Sequence, residues 1–281
     1  MTKMIIEETL HSACYDQNKD LVQKLLIKVK PSMLNKKLTD YSNPIQGTPL
    51  QICCKNGNLD IVKLLVEAGA DKEIKDVGRK SPLSIAITIN HYDITKYLIE
   101  VGADIHSKGP NNLQPIHFAC AHGSRKIIEL LLSRGVDINL VDSLKSSLLD
   151  FTTNLNGGNL EATKTLVENG IDTKYFSTAF KWACWRNNLK IAEYLLANGA
   201  DYKKETTPKS ELLFWICGLG YKEIVQLLLE LGVDFKTKVK FKGKMLSYNG
   251  SPLDRAIDTN QIEIVNLIHS NPEGDCKPPA L

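Results

Sequence analysis

Seven cysteines are the residues best suited to chemistry in this 281-residue chain, since a thiolate can serve as nucleophile, metal ligand or disulfide partner. Their spacing argues against all three roles. No two form a C-x-x-C pair, and an odd set without that motif fits neither a disulfide framework nor a zinc site. Cys184 and Cys217 stand 33 residues apart and Cys54 and Cys120 stand 66 apart (217 − 184 = 33; 120 − 54 = 66), which marks one structural position revisited. His11 and His117 could act as general bases, but no Ser/His/Asp or Cys/His arrangement accompanies them. Lys236, Lys238, Lys240, Lys242 and Lys244 stand at strict period two, which would line one face of an extended strand with charge. Alternation with Thr237, Val239 and Phe241 predicts a β-hairpin arm. Its lysines could protect a sheet edge, or bind an acidic ligand, phosphate-bearing molecules or RNA included. The run lacks the aromatic interleaving of a single-strand binder, so nucleic acid is the weaker reading.

The elements that must position these residues repeat. Thr48-Pro49-Leu50-Gln51 is a helix start: Thr48 caps, Pro49 fits the first helical position and Gln51 reaches back. Gly57-Asn58 ends that helix and caps the next, whose Ile61, Val62, Leu64, Leu65 and Val66 form one buried face. Gly69 is the left-handed stop. Equivalent stops stand at Gly102, Gly135, Gly170, Gly199 and Gly232, with intervals of 33 (102 − 69, 135 − 102, 232 − 199). Helix starts recur as Ser81-Pro82-Leu83-Ser84-Ile85-Ala86 and Gln114-Pro115-Ile116-His117-Phe118-Ala119.

A 33-residue period with these starts resembles the ankyrin-repeat family. The resemblance implies an all-α solenoid of stacked helix-turn-helix units joined by hairpin connectors. The register gives about eight units over 1–271, starting near residues 8, 48, 81, 114, 147, 178, 211 and 251, the first and last being polar caps. Residues 272–281 read as a disordered tail. The connector after Gly170 is short, which predicts a bend or weak seam, and the connector 235–250 is long. Cys14, Cys54, Cys120, Cys184 and Cys217 all follow the motif's Ala position, where a small side chain packs against the next helix, so they read as structural, reduced thiols. In this family the motif's His bonds to connector backbone, which assigns His11 and His117 a structural role.

The resemblance also implies that a partner protein docks on a concave face of connector tips and first-helix positions. Mapped onto this sequence, that face holds Lys55, Lys80, Asn112, His122, Tyr175, Phe176, Trp185 and Arg186, with Val77, Thr88 and Ile89 beside them. Trp185-Arg186 next to Tyr175 and Phe176 is the best anchor cluster, because aromatic rings and guanidinium groups carry much interface energy. A Trp185 packed beneath the short connector is the competing reading. The stripe Ile52, Ile85, Phe118, Phe151, Trp182 and Trp215, ending in Arg255, is expected to be a buried inter-repeat spine. Leu131–Asn139 is similar to the segment that asparaginyl hydroxylases accept in ankyrin repeats, making Asn139 a candidate modification site.

Net charge of +3 is too small to imply nucleic acid by itself. No apolar run reaches the ~18–20 residues of a membrane span, and Glu7 and Glu8 interrupt any signal-peptide core. The expected protein is a monomeric, non-catalytic interaction scaffold or adaptor without cofactor or metal, placed in the cytoplasm, with the nucleus or a host-cell cytosol as alternatives. A targeting or inhibitory subunit of an enzyme is the alternative function.

Overall fold

The computed structural model describes residues 2–38, 46–153, 158–201, 209–242 and 247–270. The chain forms two compact units, one of Met1–Phe151 with Lys164–Gly170, the other of Thr152–Thr163 with Ile171–Leu281. The tail 272–281, Lys244 and the first-helix positions 154 and 155 lie outside the described residues.

The first unit contains α1 (Thr2–Tyr15), α2 (Lys19–Leu26), α3 (Pro31–Leu34), α4 (Pro49–Asn56), α5 (Leu59–Glu67), α6 (Pro82–Thr88), α7 (Tyr92–Glu100), α8 (Pro115–His122) and α9 (Arg125–Ser133). The first helices α1, α4, α6 and α8 pack in sequence, as do the second helices α2, α5, α7 and α9. Leu50, Leu83 and Ile116 are fully buried at one first-helix position, and Ile61, Leu65, Ile94, Leu98, Ile127 and Leu131 form the matching second-helix core. Each helix pair thus covers an apolar face that it could not bury alone. The fifth repeat, α10 (Leu148–Thr153) and α11 (Leu160–Glu168), is shared between the units.

The second unit continues with α12 (Phe176–Trp185), α13 (Leu189–Ala197), α14 (Lys209–Leu219), α15 (Lys222–Glu230), the strands β1 (Val239–Lys242) and β2 (Ser247–Gly250), α16 (Pro252–Asp258) and α17 (Ile262–His269). The strands pair antiparallel with Val239 opposite Gly250 and Lys240 opposite Asn249. The expected hairpin therefore exists, but it does not stand free. Its strands pack on α14 and α16, Val239 is buried, and the Tyr248 ring lies 4.5 Å from that of Phe214.

Local sequence explains the repeat geometry. Thr48 Oγ1 accepts the Gln51 N–H at 3.3 Å while Gln51 Oε1 accepts the Thr48 N–H at 2.8 Å, the expected capping box. Ser251 and Asp254 make the same pair at 3.1 and 2.8 Å. The Asp after each stop glycine has a role that pattern reading passes over. Asp71, Asp104, Asp137, Asp172 and Asp234 each accept, through Oδ1, the N–H two residues on, at 2.7–2.9 Å, which turns the chain into the connector. Three repeats depart from their expected starts, the seventh beginning α14 at Lys209 rather than near 211. α1 begins at Thr2 rather than near residue 8, and the short connector after Gly170 runs through a 3₁₀ turn, Thr173–Tyr175, straight into α12 at Phe176 rather than 178.

Candidate interaction surfaces

In the second unit, α12 buries Phe176, Ala179, Phe180, Ala183 and Cys184, an i, i+3, i+4, i+7, i+8 face. The opposite face carries Trp182, Trp185 and Arg186. Trp182 is 43 % exposed, so the expectation of a wholly buried stripe fails there. Phe180 fills the core in place of the aliphatic residue used in earlier repeats, and the indole is left outside. Ile52 is buried, whereas Ile85, Phe118 and Phe151 are half-buried. Trp185 is half-buried and packs against Trp215 of α14, ring centroids 6.4 Å apart and tilted by 32°. Leu219, one turn beyond Trp215, is 46 % exposed. The Arg255 guanidinium ends this row, 5.6 Å from the Phe214 and Trp215 ring centres and 5.4 Å from that of Tyr248. A Cβ at position 218 would stand 2.6 Å from Arg255 Nε, so glycine there lets the guanidinium lie across the rings.

Phe176 does not belong to this surface. It is 2 % exposed, because the helix begins two residues early and turns that ring into the core. Tyr175 stays half-buried at the outside of the 3₁₀ turn, with Lys174 Nζ 4.9 Å from its ring centre.

In the first unit, Lys55 and Lys80 line a cavity of about 230 Å³ together with Lys37 and the side chains of Val77, Ile85 and Ile89. Lys80 Nζ lies 3.5 Å from the Thr88 hydroxyl and 5.1 Å from the Phe118 ring centre. His122 is on the outer surface close to Lys80; partial desolvation and the Lys80 charge hold its imidazole below the ordinary pKa. Lys37 comes from the connector between the first and second repeats, which is longer than the repeat register requires. Asn112 is exposed at a connector tip with φ of 58°, apart from this cavity. Asn139 is half-buried in a connector, its N–H donated to Asp137 Oδ1 at 2.8 Å.

The lysine run divides. Lys236 Nζ lies 5.4 Å from the Phe235 ring centre, and Lys238 is close enough to Asp254 to lower that carboxyl's pKa, after the larger effect of the Ser251 hydrogen bonds. Lys240 points to solvent opposite buried Val239, and Lys242 closes β1. Lys236 and Lys238 thus have neighbours within their own fold, though both remain exposed.

Cys14, Cys53, Cys54, Cys120, Cys184 and Cys217 are buried and form no disulfide. A hydrogen bond to Cys14, then burial, raises the Cys53 pKa; burial raises those of Cys54 and Cys120 and pushes that of Cys217 to about 12. Such groups are protonated and unreactive at neutral pH. His11 Nε2 bonds to the Lys36 carbonyl at 2.9 Å, as its motif position implies. His117 does not reach a connector carbonyl: Nδ1 accepts the Gln114 N–H at 2.9 Å and Nε2 is buried without a partner, against the edge of Phe151 at 4.9 Å. Among the described residues no three His, Cys, Asp or Glu gather into a metal-binding group, and no helix is long and apolar enough to cross a membrane.

Residues 7–76 and 75–142 match a family model described as ankyrin repeats (3 copies), and residues 155–196 match one described as ankyrin repeats (many copies). No curated protein matches the sequence.

Proposed function

The chain belongs to the ankyrin-repeat family, and on that premise we propose that it is a non-catalytic scaffold that receives a partner protein on its first-helix face. Ankyrin repeats are in general protein-interaction modules. The observation that carries the finer reading is Trp182, a large aromatic ring 43 % exposed on the outer face of α12, in the same row as the half-buried Trp185. A buried core is the usual place for such a ring, and a rigid aromatic side chain left in solvent beside Arg186 fits an interface anchor. Stacked helices are already ordered, so docking on them costs little conformational entropy. Reduced, buried thiols fit a cytoplasmic setting.

The test is proximity labelling in the native cell with the full chain and with Trp182→Ala/Arg186→Ala. Both residues are exposed, so the variant should keep its melting temperature. Partners labelled by the wild type should be depleted in the variant. Recovery of the same partners at the same yield would reject this face.

A further inference from the structure

The cavity between the second and third repeats combines two chemistries. Its floor is apolar: Ile85 is half-buried, Ile89 is 46 % exposed and Val77 is 69 % exposed. Around that floor stand Lys37, Lys55 and Lys80, against one carboxylate, Asp76. Asp76 is turned to its own connector, where Oδ1 accepts the Lys80 N–H at 2.7 Å. Among the described residues no carboxylate pairs with Lys37, Lys55 or Lys80.

We propose that this groove receives an acidic segment of a partner protein, with one aliphatic side chain seated over Ile85 and Ile89 and flanking carboxylates held by Lys37, Lys55 and Lys80. The inference rests on the scaffold reading only in requiring a protein partner, and it concerns residues of the first unit, whereas the tryptophan cluster belongs to the second. Volume supports a side chain as occupant. At about 230 Å³ the cavity is smaller than the roughly 300–1,000 Å³ of small-molecule sites. Charge supports the flanking acids, since three ammonium groups against the single Asp76 carboxylate among the described lining residues attract an anionic chain and repel a basic one. An apolar floor argues for a peptide over a nucleic acid, whose phosphates would leave Ile89 and Val77 uncovered. The Phe118 ring already has Lys80 Nζ over it and gives no free platform for a base.

The experiment is selection from a randomised peptide library displayed on phage, using the full chain as bait, followed by anisotropy titration of the enriched peptide. Peptides with an aliphatic residue between acidic ones should be enriched. Lys55→Gln/Lys80→Gln should weaken the enriched peptide by about 5–10-fold, as expected for two surface charge pairs, and flatten its salt dependence. Both lysines are at the surface, and an unchanged melting temperature checks the fold. Enrichment of basic or uncharged peptides, no enrichment, or acidic peptides bound equally by the lysine variant would each overturn the proposal. So would a single-stranded oligonucleotide that displaces the peptide and binds more tightly. If the Trp182→Ala/Arg186→Ala variant loses its cellular partners while the wild-type chain selects no acidic peptide, the scaffold reading stands and this groove assignment falls.

Discussion

The side-chain amide of Gln51 donates to the carbonyl of Ile74 at 2.7 Å, joining the start of one repeat to the connector that leads into the next. The same Gln51 accepts the N–H of its own N-cap, Thr48, at 2.8 Å. His11 makes the equivalent reach to Lys36 at 2.9 Å. At the motif's fourth position Gln51 and His11 thus each reach a connector carbonyl, whereas His117 does not. Gln51→Ala leaves a buried cap N–H and a connector carbonyl unpaired, so it should destabilise the protein by about 2 kcal/mol. Gln51→His should recover at least half of that. The urea midpoints of the two variants decide it. A shift for Gln51→Ala no greater than that of the exposed control Lys63→Ala would mean the bond adds nothing.

Two stop glycines with similar backbone angles should respond differently to substitution. Gly69 has φ of 92° and no atom near where a Cβ would stand. Gly57 has φ of 84°, and a Cβ there would lie 2.6 Å from His91 Cε1. Gly69→Ala should cost only the left-handed backbone penalty, about 1–2 kcal/mol. Gly57→Ala should cost more, because His91 must move and give up its contact with the Lys55 carbonyl at 3.3 Å. Thermal melts of the two variants check the order, and an equal loss would show that His91 swings away freely.

Local chemistry made most of the fold legible. Caps such as Thr48 and Ser251, stops such as Gly69 and second-helix faces such as Ile61–Leu65 each carry their structure in a few neighbouring residues. The misreadings arose where the period breaks. Phe176 looked like a connector tip because its helix was placed by the repeat length, yet the short connector starts that helix early. By analogy with Ile52 the position of Trp182 reads as buried, yet its larger indole is 43 % exposed while Phe180 occupies the core. The groove was half legible: Lys55 and Lys80 follow the repeat register, whereas Lys37 joins them from an irregular connector.

His117 gives the protein a predictable acid sensitivity. Burial holds its pKa below the ordinary 6.5, and the Asp142 carboxylate opposes this only in part. The folded state therefore binds a proton less readily than the unfolded state. As pH falls below about 6.5 the unfolded chain takes up the proton first, so stability declines until the folded pKa is reached and then levels off. His117→Gln keeps a capping side chain, as Gln51 does, and removes the titration. The variant should lose less melting temperature than the wild type between about pH 7 and about pH 5. An identical loss in both would place the acid sensitivity elsewhere.

The buried thiols should be chemically silent. Cys14, Cys53, Cys54, Cys120, Cys184 and Cys217 are all buried, and the Cys217 pKa of about 12 leaves a thiolate fraction on the order of 1 in 10⁵ at neutral pH. Cys53 and Cys14 lie side by side, so they are the pair most able to oxidise if solvent reached them. Reaction with a thiol reagent must then wait for the helices around them to open. In a Cys276→Ser background, native protein should show no labelling on the timescale that labels a free thiol. Denaturant should expose six thiols, the number found buried. In that background reductant should leave the melting temperature unchanged, since the six buried cysteines form no disulfide. Rapid labelling of any of the six without denaturant, or a melting temperature that drops with reductant, would show that a thiol has chemistry rather than packing as its role.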